Sequence, residues 1–102
     1  MRASFTGNLA VVKVLVMNGA NINYRNNRPG GSALGTATLS SNYDIVLYLL
    51  QQGVDCSKVL YQKGGGDNLK DIYMKDWIND IADHSVKEYS EIVDILKKKG
   101  CM

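Results

Sequence analysis

Two stretches of the chain decide its fold: residues 9–21, LAVVKVLVMNGAN, and residues 43–55, YDIVLYLLQQGVD. They align without a gap at an offset of 34 residues. In each copy, four apolar residues have the spacing i, i+1, i+4, i+5, which places them on one face of a helix. The repetition therefore predicts two equivalent helices, buried through Val11, Val12, Leu15 and Val16 in the first copy and through Ile45, Val46, Leu49 and Leu50 in the second.

Both predicted helices have start and stop signals. Asn8 and Asn42 precede the two helices at the same offset, and an asparagine side chain at this position can accept hydrogen bonds from the first backbone N–H groups. Gly19 and Gly53 follow the last apolar residues. Glycine is favoured there because it enters the left-handed conformation that ends a helix without steric cost.

A third copy, IVDILKKKG, occupies residues 92–100. Gly100 lies 47 residues after Gly53, so the second interval is longer than the first, and the extra residues fall between Cys56 and Asn79. Lys97 stands where the other copies have an apolar residue, as expected for a terminal repeat whose outer face meets water. Positive charge in a last helical turn also favours the helix dipole, so we interpret Lys97–Lys99 as a solvated cap.

The 34-residue period, with a helix ending in Gly19-Ala20-Asn21-Ile22-Asn23, resembles the ankyrin repeat. In that family a turn follows, and then the signature Gly-x-Thr-Pro-Leu-His-x-Ala. Residues 30–37, GGSALGTA, match it at the glycine, leucine and alanine, with serine in place of threonine. Ala33 and Gly35 depart from the proline and the histidine. Loss of that histidine and a glycine within the helix predict a less rigid repeat.

The resemblance implies an all-α fold, a short ankyrin-repeat-like solenoid of about two and a half helix-turn-helix repeats. The expected units are an incomplete first repeat at residues 1–25, a second repeat at 26–57, an insertion at 58–78 and a C-terminal capping repeat at 79–102. Ala3 aligns with Ala37, so most of the first repeat's leading helix would precede Met1. The chain is then either a fragment of a longer array or an array with a frayed first repeat.

The insertion is expected to contain a hinge and an extended helix. Gly64–Gly66 is the hinge, and Leu69, Tyr73, Trp77 and Ile81 then recur every four residues. This spacing predicts one amphipathic helix from Leu69 to about Asp83 that leads into the last repeat. The aromatic side chains of the insertion either cover the core or contact a partner. The stripe position favours the core for Trp77 and leaves both readings open for Tyr61.

Composition and charge exclude several classes of protein. The hydrophobic fraction of 45% and charged fraction of 22% are typical of globular proteins, and a net charge of +2 gives no argument for nucleic acid. No apolar stretch is long enough to span a bilayer, and Lys13 interrupts the segment that would mimic a secretory signal. Two cysteines suit free thiols in a reducing compartment, with a single disulfide left open. We expect a cytoplasmic protein.

Catalytic groups are scarce. His84 is the single histidine, and a surface pair with Asp80 is favoured over a catalytic arrangement with Cys56. The triple glycine lacks the Lys-Ser/Thr of a phosphate loop, and the cysteines and the histidine are too few for a zinc site. We expect no enzyme activity, no metal and no cofactor, with a small helical enzyme as a disfavoured alternative.

The predicted function is therefore a non-catalytic protein–protein interaction module of the ankyrin-repeat type. By resemblance, the turns between repeats carry the contacts, and these turns have the aromatic and basic composition of a recognition surface. The expected partner-binding residues are Tyr24, Arg25, Asn27, Arg28, Tyr61 and Lys63. The alternatives are that residues 24–29 form an ordinary solvated turn, and that the chain is a structural C-terminal cap of a longer array. Self-association through the incomplete first repeat is a further possibility, and neither nucleic acid nor membrane is expected as a partner.

Overall fold

In the part of the chain that the structure describes, helices alternate with turns, and a two-stranded sheet lies between the third and fourth helices. The structure is a computed structural model that describes residues 8–19, 21–23 and 32–102. Its elements, in chain order, are α1 (Leu9–Met17), α2 (Ala33–Leu39), α3 (Tyr43–Gln51), β1 (Tyr61–Lys63), β2 (Lys70–Ile72), α4 (Met74–Asp76), a π-helical turn (Trp77–Ile81) and α5 (Tyr89–Lys99).

Helix α3 lies at the centre of the core. Its four predicted core residues, Ile45, Val46, Leu49 and Leu50, are all at most 1% exposed. The helix packs against α2 on one side and α5 on the other, and it also contacts α1. In α1 the equivalent face is covered only in part: Val12 is fully buried, whereas Val11 is 43% exposed and Leu15 is 38% exposed.

The predicted helix ends are confirmed at all three glycines. Gly19 and Gly53 have φ of +87° and Gly100 has φ of +74°. After α3, Gly53 N donates to Leu50 O (3.2 Å) and Val54 N to Leu49 O (3.1 Å), which satisfies carbonyl groups that the helix leaves open. Lys97–Lys99 are exposed in the last turn of α5, as expected of a solvated cap.

Of the two predicted N-cap hydrogen bonds, the one at Asn8 is confirmed. The Oδ1 atom of Asn8 accepts a hydrogen bond from Val11 N at 3.1 Å. Asn42 occupies the N-cap position of α3, but its side chain makes no capping hydrogen bond. The shared asparagine at this offset therefore indicated the start of both helices but the capping hydrogen bond of only one.

The extended helix predicted from Leu69 is wrong, and the described fold is not purely α-helical. Residues 61–72 form a β-hairpin in which Tyr61 is opposite Ile72, Gln62 opposite Asp71 and Lys63 opposite Lys70. The glycines read as a hinge form its turn. Helix begins only at Met74, where the Asp76 carboxylate accepts a hydrogen bond from Tyr73 N (3.1 Å).

The four-residue spacing gave a wrong prediction because Leu69 and Tyr73, two of the four apolar residues, precede the helix. Leu69 is 52% exposed and Tyr73 is 38% exposed, so neither belongs to a buried helical stripe. The three residues that follow Leu69 pair with β1 instead of forming a helix, and Leu60 N donates to Ile72 O at 2.7 Å at the base of the hairpin. Backbone pairing across the insertion thus overrides the apolar periodicity, as tertiary context often does.

The core reading of Trp77 is confirmed. Its side chain is fully buried, and its ring centroid lies 5.5 Å from that of Tyr43 at the start of α3. The Tyr43 hydroxyl also accepts a hydrogen bond from Asp83 N at 2.8 Å. These contacts hold the segment that follows the hairpin against α3.

Both cysteines are bonded to each other, which corrects the expectation of free thiols. The disulfide joins Cys56, just after α3, to Cys101, just after α5, and leaves no free cysteine in the chain. A cytoplasmic location therefore loses the support that free thiols would give it, because structural disulfides are typical of oxidising compartments. The bond ties the base of the insertion to the end of the last helix.

The sequence analysis interpreted Gly35 as making the repeat less rigid. The structure instead gives this glycine a packing role. A Cβ atom at this position would overlap the backbone carbonyl of Leu60, the residue that leads into β1. Only a residue without a side chain permits this close approach between α2 and the base of the hairpin. The departure from the family signature is thus matched to the insertion that follows.

We predict that Gly35→Ala destabilises the fold, although alanine is favoured over glycine in a helix by about 1 kcal/mol. Overpacking against a backbone atom outweighs that gain and lowers the free energy of unfolding by about 1–3 kcal/mol. Urea denaturation followed by circular dichroism measures the change. Gly65→Ala is the control, because nothing lies within 4 Å of a Cβ there. A more stable Gly35→Ala variant would show that the close approach is not a constraint.

Candidate functional site

A groove lies between the two turn segments that follow α1 and α3. Its volume is about 330 Å³. One wall comes from the turn after α1 and the start of α2, and the other from the segment after α3. The lining residues are Ile22, Asn23, Ser32, Leu34, Val54, Asp55 and Lys58.

A hydrogen bond between the two turn segments fixes the spacing of the groove walls. The Oδ1 atom of Asn23 accepts from Asp55 N at 2.8 Å, across 32 residues of sequence. Each segment is also stabilised internally: Asn21 Oδ1 accepts from Asn23 N (3.0 Å) and Asp55 Oδ1 accepts from Ser57 N (2.9 Å). Asn21 and Asp55 are equivalent at the 34-residue offset, so both copies use the same local turn.

The groove has an apolar floor and a charged rim. Leu34 and Val54 are buried beneath it, at 2% and 3% exposure. On the rim, hydrogen bonds from the Ser57 hydroxyl (2.6 Å) and backbone N–H, with a smaller contribution from the positive charge of Lys58, lower the pKa of Asp55 below its ordinary value of 3.8. Asp55 is therefore ionised at neutral pH and faces the same groove as Lys58. Such a site can take an apolar side chain and hold polar groups at its edge.

The β-hairpin is the second part of the candidate site. Its base is buried, because Tyr61 and Ile72 are only 7% and 3% exposed. On the opposite face of the hairpin, Gln62 Nε2 donates to Asp71 Oδ1 at 3.0 Å. Lys63 and Lys70 are exposed at the end nearest the turn, on the same face as Tyr61.

The predicted partner-binding residues fall into three groups. Tyr24, Arg25, Asn27 and Arg28 lie outside the described residues. Lys63 is exposed at the end of β1, where it is accessible to a partner. Tyr61 packs in the core, and burial raises the pKa of its hydroxyl; its side chain supports the hairpin, which favours the core reading of this residue.

Sequence reasoning missed the residues that shape the groove. Asn23 and Asp55 line it, and neither was expected to contribute, whereas Lys58 falls within residues 57–63, where the second recognition turn was expected. Outside the groove, Lys70 lies opposite Lys63 and was not expected to contribute either. Only one signal for them was present in the sequence, the equivalence of Asn21 and Asp55 at the repeat offset. The partner of Lys63 was hidden because β2 was interpreted as helix.

His84 has a local structural environment. Its Nε2 atom lies 3.1 Å from Ile78 O, and its ring centroid is 4.3 Å from that of Tyr89. It follows the π-helical turn, so the helical pair expected with Asp80 does not apply. Because Cys56 is in the disulfide, it is not available as a nucleophile for a Cys56–His84 arrangement.

Residues 8–19, 21–23 and 32–102 contain neither a membrane-spanning helix nor a cluster of metal ligands. No helix in these ranges has the length and apolar character needed to cross a membrane. In the same ranges, the His, Cys, Asp and Glu side chains form no group of three or more that could hold a metal ion.

Comparison with known families accounts for the repeated turns. A family model described as ankyrin repeats (3 copies) matches residues 1–71. The chain belongs to the ankyrin-repeat family. The matched residues include both turn segments, α1 to α3, β1 and most of β2, whereas α4 and α5 lie beyond them.

Two curated proteins are similar to the ankyrin repeats of this chain. The potassium channel AKT1 of Arabidopsis thaliana is 41% identical over 56 residues, which is 55% of this chain and 6% of the channel. Ankyrin repeat and SAM domain-containing protein 6 of Rattus norvegicus is 44% identical over 55 residues, 54% of this chain and 6% of that protein. The similarity thus spans a small part of either relative. No solved structure matches the chain significantly.

We predict that Asn23→Ala loosens the contact between adjacent ankyrin turns. The variant leaves Asp55 N without its acceptor, so the free energy of unfolding falls by about 1 kcal/mol. Chemical denaturation measures this loss, and Asn68→Ala, an exposed asparagine in the hairpin turn, is the matched control. Equal stability of the two variants would show that the hydrogen bond does not hold the turns together.

Proposed function

We propose that this chain is a non-catalytic module that binds another protein through the turn segments and the β-hairpin. Ankyrin repeats are generally protein–protein interaction modules, which supports this assignment. The observation that carries it is the groove between Asn23 and Lys58, where two adjacent turns are held at a fixed distance over an apolar floor.

The groove is one part of the proposed contact surface. A specific interface typically buries about 800 Å² on each partner, far more than a groove of this size can supply. We propose that the surface extends onto the hairpin, where Lys63 is exposed, and onto residues 24–29, which lie outside the described residues. We include Tyr24, Arg25, Asn27 and Arg28 from that turn, because aromatic and arginine side chains are enriched at interface hot spots.

A structural role at the end of a longer array is the second candidate, and the surface of α1 favours it. Val14 is 55% exposed and Met17 is 82% exposed, in a helix whose only charged residue is Lys13. Val11 and Leu15 are also partly exposed, whereas their equivalents in α3 are fully buried. A further repeat stacked on α1 would cover this face. Upstream coding sequence with the same 34-residue period would support this candidate.

The same face supports self-association as a lesser proposal. A second copy packed on α1 would bury the apolar side chains that are exposed in the single chain. Sedimentation equilibrium tests this: the native chain would form dimers, and Val14→Lys with Met17→Lys would restore the monomer. A native chain that sediments as a monomer at all concentrations would contradict it.

We predict that the turn substitutions Tyr24→Ala, Arg25→Ala and Arg28→Ala abolish partner binding. The three changes remove hot-spot side chains, each of which typically contributes about 2 kcal/mol or more, so their loss weakens binding by at least a hundredfold. The measurement is a pull-down with the 102-residue chain, followed by titration of the purified candidate partner against native and variant chains of equal helicity.

The matched control changes three residues at the opposite end of the chain. Lys97→Ala, Lys98→Ala and Lys99→Ala remove three charges from the exposed last turn of α5 and should leave binding intact. If the turn variant and the native chain bind every purified candidate equally well, the turn is an ordinary solvated turn. The interaction proposal through the turns then fails, and the structural candidate gains support.

A further inference from the structure

Two lysines face each other across the strands at the exposed end of the hairpin. Lys63 on β1 and Lys70 on β2 are directly opposite in the register, so their side chains project from the same face. Residues in this relation have Cβ atoms about 5 Å apart, and like charges there destabilise the pair. The two lysines therefore concentrate positive charge at the end of the hairpin, and their repulsion lowers the stability of the hairpin.

No acidic group of the hairpin offsets this charge from the same face. Asp71 projects from the other face, where Gln62 binds its carboxylate. Asp67 lies in the turn, and no ion pair joins it, or another described acidic residue, to Lys63 or Lys70. Both ammonium groups are exposed and available to an external anion.

The groove rim is close to neutral and adds nothing to this charge. Lys58 is exposed there beside the ionised carboxylate of Asp55, so the two charges balance. In sequence, residues 24–31 contain two arginines and no acidic residue. The net charge of the whole chain is only +2, so the lysine pair of the hairpin is a local concentration of positive charge.

We infer that the partner presents an acidic peptide segment, rich in aspartate or glutamate, whose carboxylates pair with Lys63 and Lys70. This inference rests on the proposed function and specifies the chemistry of the partner. A carboxylate placed between the two ammonium groups relieves their repulsion, so charge complementarity acts both within the hairpin and across the interface.

The test is fluorescence anisotropy with a short labelled peptide of alternating glutamate and serine. The native chain should bind it, and Lys63→Gln with Lys70→Gln should weaken binding about tenfold, because each lost exposed ion pair removes up to a few-fold in affinity. Lys97→Gln with Lys98→Gln makes the same change in net charge at the end of α5 and should change affinity less than twofold. Raising the salt concentration from about 0.05 M to about 0.5 M should abolish the difference between native and hairpin variants by screening.

Three results would overturn the inference. Equal weakening by the hairpin and α5 variants would show that net charge alone attracts the peptide. Tight binding of a labelled single-stranded oligonucleotide, without binding of the peptide, would indicate nucleic acid as the partner. The third result is that the peptide does not bind, while a purified protein partner binds and requires Tyr24, Arg25 and Arg28. The proposed function would then stand, and the inference of an acidic segment would be wrong.

Discussion

The buried face of α3 is the constraint on which the rest of the structure depends. Its four apolar residues pack simultaneously against α2 and α5, and the contact with α1 adds a third neighbour. The two ends of this helix contact or lead into the segments that follow it. At its N-terminal end, Tyr43 contacts Trp77 and Asp83 and so anchors the insertion. At its C-terminal end, Gly53 stops the helix and directs the chain into the groove wall.

The β-hairpin adds a non-helical element to the helical repeats. Its base is buried and its end is charged. Its position depends on Gly35, because α2 admits the Leu60 carbonyl only where no side chain intervenes. The disulfide between Cys56 and Cys101 adds a covalent tie at the base of the insertion. A supported base with an exposed end suits a recognition element, since little ordering of the backbone is then required on binding.

Sequence periodicity predicted the helices that repeat and failed where the chain stops repeating. The apolar pattern of α3 and the three helix-stop glycines were predicted because each copy meets the same local and packing requirements. The hairpin was not predicted, because its strands are only three residues long and depend on a partner strand that periodicity does not reveal. The groove was missed for a similar reason: the hydrogen bond from Asp55 N to Asn23 joins residues that only the stacking of adjacent turns brings together.

Native-state hydrogen exchange, residue by residue, tests most directly whether α3 supports the turns and the hairpin. The amides of residues 45–51, together with those of α2 and α5, should exchange only through global unfolding and share one free energy of opening. Amides near the hairpin turn, at residues 63–70, should exchange through local opening at much lower free energy. If the α3 amides exchange as fast as those of the hairpin turn, or if α2 and α5 open independently of α3, then α3 is not the common support.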